Sequence, residues 1–328
     1  MKRPPPTAAG PLIHIGYHKT GTSWLQKQLF RKQQGFAWGG KGTDSPVNRI
    51  VTVSALDFDG GEAREDFAAE IELAERRRLR HVVSLERLSG HPFSGGYDSA
   101  EIARRLHATF PDGRVLVVIR EQRSVIASTY MQYVEAGGAL PLRLFLEPPV
   151  YRRPRTAAFD LRHFEYDRLL RLYVGLFGPK RVLAVPYEWL RDDPPGFAAR
   201  IRAFAGVEAA PLEDAQHEAI NVSRGAVATG TARIVNRLFV RSDVNPLPIV
   251  ASPRLARAAN GLARGVTRLA PQVVHQRRER RLRSIVAEVA GARYAASNRR
   301  WSQTTGIDLG ALGYDVGSER AEDEAIAH

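Results

Sequence analysis

The chain has 328 residues, 44% hydrophobic and 25% charged, which excludes a fibrous or disordered polymer and leaves ample material for a buried core. It contains no cysteine, so disulfide frameworks and thiolate metal sites are excluded. A formal charge of +13 favours anionic ligands, acidic acceptors or anionic surfaces.

The opening stretch MKRPPPTAAG is basic and then proline-rich, with no apolar region of the kind a secretory signal needs. No run approaches the roughly 20 apolar residues of a spanning helix, so a cytoplasmic protein is expected. Leu12 to Tyr17 predicts a first strand, and Thr22 to Arg31 a helix whose first turn is capped by hydroxyls. Between them Gly16 and Gly21 keep the glycine spacing of a phosphate-binding loop, with Ser23 at the hydroxyl position. Thr22 stands where a nucleotide-triphosphate loop has its lysine, and Lys19 lies inside the loop instead. Such a loop closes backbone N–H groups around phosphate oxygens, and the helix N-terminus adds a favourable dipole.

Residues 36–65 are rich in Gly, Asp and Ser and are expected to form a long functional loop. A charged helix over about residues 65–78 precedes HVVSLE, a short strand ending at Glu86. A helix around Ser99 to Thr109 leads into RVLVVIR, whose β-branched run predicts a fully buried parallel strand. The next helix, near Arg123 to Ala136, stops at Gly137-Gly138, and a Pro- and Arg-rich connection follows. Leu161 to Leu176 predicts another helix and RVLAVPYE another strand; beyond about residue 197 the pattern is mainly helical.

Alternating strands and helices predict an α/β fold, with a P-loop NTPase-like central parallel sheet flanked by helices and a helical C-terminal extension. One domain over residues 1–328 is the expected partition, an α/β core at 11–225 and an Arg-rich extension at 226–328. Ligands of open parallel sheets bind at the carboxyl ends of strands. Arg120 ends the strongest strand and Ser128 follows eight residues later, so both are expected to face the crevice of the first loop and hold a second phosphate. Phosphates at two separate positions do not describe ATP.

From Arg241 to Arg283 ten arginines stand against Asp243 and Glu279, a net +8. Within it Leu255, Ala259, Leu262, Val266 and Leu269 recur at helical spacing, with Arg257, Arg264 and Arg268 on another face. Such a helix suits either packing on the domain with a solvated arginine face or peripheral contact with an anionic membrane through residues 254–283. Nucleic acid is not expected as a partner, because the segment lacks interleaved aromatics and a recognition motif. The nine histidines show no metal-binding spacing, so no metal is expected.

Taken together, these motifs resemble those of sulfotransferases that use 3′-phosphoadenosine-5′-phosphosulfate (PAPS). YHKTGTSWLQ resembles their 5′-phosphosulfate loop and IREQRSVIASTY their 3′-phosphate segment, including its arginine-to-serine spacing. RVLAVPYEWL is similar to the strand that leads to a Tyr-Glu pair, and NVSRG to a late phosphate-contacting loop. The resemblance runs in order over about residues 11–225, and YAASNRRWSQTTGIDLGALGY is similar to the tails of bacterial members. His18 replaces the proline of many cytosolic members, and the HKTGT form is closer to bacterial and carbohydrate-directed relatives.

The resemblance implies PAPS as donor, 3′,5′-diphosphoadenosine as product and no metal. It implies Lys19 at the bridging oxygen of the donor, within a loop that includes His18, and Thr20, Gly21, Thr22 and Ser23 at the 5′-phosphate. Trp24 would stack on adenine, Tyr187 would lie near it, and Arg120 and Ser128 would grip the 3′-phosphate with help from Arg224. The acceptor is expected to be a hydroxyl of a carbohydrate or glycolipid. A general base must take its proton, and Glu86 is the expected one, with His91 and His107 as alternatives. Two other readings stay open. In a divergent ATP-dependent kinase or NTPase, Glu86 would serve magnesium; the missing lysine after Gly21 and the arginine ending the strongest strand oppose this. The other is a non-catalytic module that binds nucleotides or anionic surfaces, against which Lys19 and Glu86 argue.

Overall fold

The computed structural model describes residues 10–148, 157–208, 226–258, 261 and 272–317. Five strands form one sheet: β1 (Leu12–His14), β2 (Phe36–Trp38), β3 (Arg80–Ser84), β4 (Arg114–Ile119) and β5 (Val182–Pro186). Their order is β2-β3-β1-β4-β5 and every pairing is parallel. With β1 in the middle, the chain fills one side of the sheet through β2 and β3 and then the other through β4 and β5. β1 is therefore the switch point, where an open parallel sheet forms its crevice.

Side chains alternate along the strands and feed two apolar layers. Val115, Val117 and Ile119 of β4 join Ile13 and Val83 in one layer, while Leu116 and Val118 join Leu12, Val82 and Val185 in the other. Covering both faces removes β4 from water and explains its unbroken apolar run. The first layer holds α5 (Ser99–Thr109), α6 (Gln122–Glu135) and α8 (Tyr166–Phe177). Phe197 and Ile201 of α10 (Pro194–Ala205) close the second.

Two expectations change. Residues 36–65 hold strand β2, paired with β3, and helices α2 (Val47–Thr52) and α3 (Gly60–Asp66). Phe36, Val47, Ile50 and Ala63 are buried, so much of this segment is core and not a free loop. The first helix is also shorter than expected. It begins as α1 (Thr22–Trp24), continues as a π-helical turn over Leu25–Leu29 and stops there. The wider turn brings Gln26 to Ser84, with its amide 3.1 Å from the Ser84 hydroxyl, and ties the helix to the end of β3.

Among the described residues between 36 and 205 the remaining α-helices are α4 (Ala68–Arg76), α7 (Leu142–Leu146) and α9 (Tyr187–Asp192). Further on, α11 (Ala226–Phe239) and α12 (Gln272–Ala290) pack on α6, and α13 (Ala295–Thr305) packs on α8. Trp301, Leu309 and Tyr314 are buried in the first apolar layer, so the end of the described chain completes the core of the α/β unit. Of the expected basic helix at 254–268, residues 254–258 and 261 are described, and they are helical. No described helix is long and apolar enough to cross a membrane.

Candidate active site at the carboxyl ends of the strands

Four chain crossings meet along one edge of the sheet: the loop after β1, Glu86 after β3, Arg120 after β4 and Tyr187 after β5. In the first loop two positions of unusual backbone, separated by Thr20, define the bend. Lys19 has φ 65° and Gly21 φ 88°, both left-handed. Lys19 tolerates this only under constraint, and the Thr20 hydroxyl supplies part of it by donating to the carbonyl of Tyr17. At Gly21 a Cβ would stand 2.6 Å from Leu190 and 3.3 Å from the Tyr187 ring, so α9 closes against the bare glycine.

The loop's hydrogen-bonding capacity is left for a ligand. Among the described residues, the backbone N–H groups of His18, Lys19, Gly21, Thr22 and Ser23 have no backbone partner. The hydroxyl of Thr22 is buried without a partner. A run of unpaired N–H groups in alternating conformations at a helix N-terminus forms an anion-binding concavity. An orphaned buried hydroxyl beside it fits a phosphate.

Arg120 reaches across from β4. Its guanidinium donates to the carbonyl of Lys19 at 3.1 Å and to the hydroxyl of Ser124 at 2.7 Å, and lies 5.0 Å from the centre of the Tyr187 ring. These partners are neutral, so no carboxylate among the described residues neutralises it. Ser128 is buried one turn beyond Ser124 on α6. Ser124 was not singled out in the sequence, although its place four residues after Arg120 at a helix start carries the signal. Glu121 caps α6 by accepting from the N–H groups of Arg123 at 2.9 Å and Ser124 at 2.8 Å.

Trp24 packs edge-on to Phe197 at 6.5 Å and belongs to the second apolar layer, partly exposed. Glu86 opens a short 3₁₀ turn, Glu86–Ser89, with a partly buried carboxylate 3.7 Å from the ammonium of Lys41. The ring of His18 lies near that of His91, with ring centres 6.5 Å apart. Burial, followed by the neighbouring His91, His163, Arg87 and Lys19, pushes the His18 pKa down to about 3. His163 is likewise driven to about 4, chiefly by burial, and His91 is lowered by burial and Arg87. The edge therefore carries a cluster of neutral imidazoles beside Lys19, anchored by the Arg87–Asp98 ion pair. His107 is edge-on to Phe177 at the end of α5 that leads into the start of β4, so it lies at the opposite edge of the sheet. Arg224 lies outside the described residues.

Comparison with known proteins follows the same outline. Residues 98–211 match the profile of a family described as "Sulfotransferase family". No curated protein matches the chain. Among solved structures, a sulfotransferase from Alicyclobacillus acidocaldarius is similar at 19% identity, with 71% of this chain and 95% of that one covered and a TM-score of 0.48. The sulfotransferase domain from the curacin biosynthetic pathway is similar at 14% identity, covering 62% and 76%, with a TM-score of 0.36. Mouse sulfotransferase SULT7A1, complexed with PAP, is similar at 15% identity, covering 83% and 82%, with a TM-score of 0.29.

Proposed function

We propose that this chain, whose residues 98–211 match the sulfotransferase family profile, is a sulfotransferase that moves a sulfuryl group from PAPS to an acceptor hydroxyl. The observation that carries the reading is the meeting of two cations, Lys19 and Arg120, at one strand edge without a carboxylate partner among the described residues. An edge with a phosphate-type loop on one side and, on the other, a second cation that no carboxylate among the described residues neutralises suits a nucleotide with phosphates at two positions.

PAPS supplies the activated sulfuryl group when bound. The N–H groups of the loop, with Thr22 and Ser23, hold the 5′-phosphate, and Thr20 holds the loop in shape through Tyr17. Arg120 and Ser128 hold the 3′-phosphate, while Trp24 and Tyr187 flank the adenine. Lys19 stabilises negative charge as it develops on the leaving group. Glu86 takes the proton of the acceptor hydroxyl. The acceptor is a carbohydrate or glycolipid, and no metal takes part. In the same reading the chain is one cytoplasmic domain. It touches anionic membranes peripherally through its arginine-rich region, where Arg241, Arg254, Arg257, Arg277, Arg278, Arg280 and Arg281 are exposed.

The direct test is thermal denaturation with 3′,5′-diphosphoadenosine in magnesium-free buffer. A rise in Tm that grows with ligand concentration is expected. No rise at millimolar ligand overturns the proposal.

A further inference from the structure

The segment that follows β4 is held by other elements at each of four consecutive residues. The hydroxyl of Tyr166 donates to the carbonyl of Arg120 at 2.6 Å. The N–H of Glu121 donates to the Glu188 carboxylate at 3.1 Å. The Gln122 side chain exchanges hydrogen bonds with Asn298, at 2.7 and 3.3 Å. The guanidinium of Arg123 pairs with Asp315 at 3.8 Å.

Three of these four ties lead to the C-terminal segment. Asn298 sits on α13 and Asp315 lies beyond it. The second oxygen of Glu188 accepts from the Tyr314 hydroxyl at 2.8 Å. Asn298 also donates to the carbonyl of Asp315 at 2.7 Å, and Arg299 to that of Val316 at 2.6 Å, so the segment is itself cross-braced. Glu188, Asn298 and Tyr314 are all buried. Glu188 makes no ion pair among the described residues; its carboxylate is spent on two neutral donors, one from the β4–α6 junction and one from the tail. Hydrogen bonds to a buried carboxylate are the strong, directional kind, and losing one leaves charge unsatisfied.

We infer that the C-terminal segment 294–317 is a positioning clamp for the 3′-phosphate arm, with Tyr314 and Glu188 as positioning residues. The inference rests on the reading of Arg120 and Ser128 as that arm. The clamp fixes the backbone from which Arg120 projects, and none of its four ties touches the loop at residues 18–23. Its contribution therefore falls first on the 3′-phosphate, and reaches the 5′-phosphate loop at second hand, through the bond from Arg120 to the Lys19 carbonyl. The clamp residues act through Arg120 and do not meet the nucleotide.

The test compares the full chain with Tyr314→Phe by isothermal titration, using adenosine 3′,5′-bisphosphate and adenosine 5′-monophosphate as probes. The readout is the ratio of the two Kd values. For the wild type the bisphosphate is expected to bind tighter. Tyr314→Phe is expected to cut that preference by about tenfold, the scale of one hydrogen bond to a charged group, while changing 5′-monophosphate affinity much less. If Tyr314→Phe does not fold, Glu188→Gln replaces it, keeping the volume and removing the charge that both donors meet; the same loss of preference is expected. A preserved ratio, or an equal weakening of both ligands, overturns the clamp. Wild-type protein that binds the two nucleotides equally overturns the nucleotide reading itself, and the clamp falls with it.

Discussion

The guanidinium of Arg120 bonds to the carbonyl oxygen of Lys19 at 3.1 Å, so the strand-end cation of β4 braces the strained residue of the loop after β1. Each half of the proposed nucleotide site thereby depends on the other, and substitutions in the two halves are expected to differ in what they spoil.

Lys19→Ala is expected to abolish turnover, by about 10²–10³-fold or more in kcat, the usual scale for removing an electrostatic stabiliser of the transition state. The nucleotide product should still bind within a few-fold of wild type. Steady-state kinetics on a sulfated product, beside a titration with 3′,5′-diphosphoadenosine, separates the two effects. Unchanged kcat rejects the assigned role.

Arg120→Lys is expected to fail as a replacement. A point charge cannot keep both the Lys19 carbonyl and the Ser124 hydroxyl while facing a phosphate, which the guanidinium fork does. Affinity for 3′,5′-diphosphoadenosine should fall by about tenfold or more, measured by titration. Wild-type affinity in this variant contradicts the assignment of the 3′-phosphate.

Glu86→Gln retains shape and loses the base. A fall of about 10²–10⁴ in kcat with nucleotide affinity unchanged is expected. If the drop follows His91→Asn instead, the base is His91, which faces His18 on the same edge.

Three histidines set the acid limit of stability. Burial holds His14 at about 3, His18 at about 3 and His163 at about 4, against 6.5 for the free side chain. The unfolded chain therefore takes up protons that the folded chain refuses. The stability from keeping these rings neutral is fully present above pH 6.5 and is lost as pH falls through the window down to about 3–4. Each ring contributes a slope of about 1.4 kcal/mol per pH unit inside that window. Urea midpoints at pH 7.5, 6 and 5 should decline increasingly steeply; a flat profile refutes the linkage.

Peripheral membrane contact makes a separate prediction. Large apolar side chains are exposed among the arginines of residues 254–283, with Leu255 at 49% and Val273 at 54%. Such an apolar and basic surface favours anionic bilayers. Co-sedimentation with phosphatidylglycerol vesicles, but not with pure phosphatidylcholine vesicles, is expected, and Leu255→Ser with Val273→Ser should reduce it. Equal behaviour with both vesicle types excludes the contact.

The parts legible in the sequence are those whose signal is local. RVLVVI announces a strand because both faces are covered, and Gly16 and Gly21 announce a loop because a Cβ at Gly16 would collide with the His14 ring and Gly21 adopts a left-handed turn. The parts that were not legible depend on distant partners. Phe36-Ala37-Trp38 is too short to declare itself a strand and becomes one only by pairing with β3. Glu188 looks like an ordinary helix-start acid, and nothing near it in the chain foretells Tyr314, 126 residues away.

That separation also bears on the order of events during synthesis. Gln122 and Asn298 are 176 positions apart, and contacts so distant form late because the intervening chain must first be gathered. On a ribosome, the glycine loop and its neighbouring strands emerge well before α13 exists. The nascent protein passes through a stage in which the phosphate loop can be formed while Arg120 is still unfastened. If the clamp holds the 3′-phosphate arm as proposed, full recognition of the proposed donor comes only with the last turn of helix and the strap that follows it.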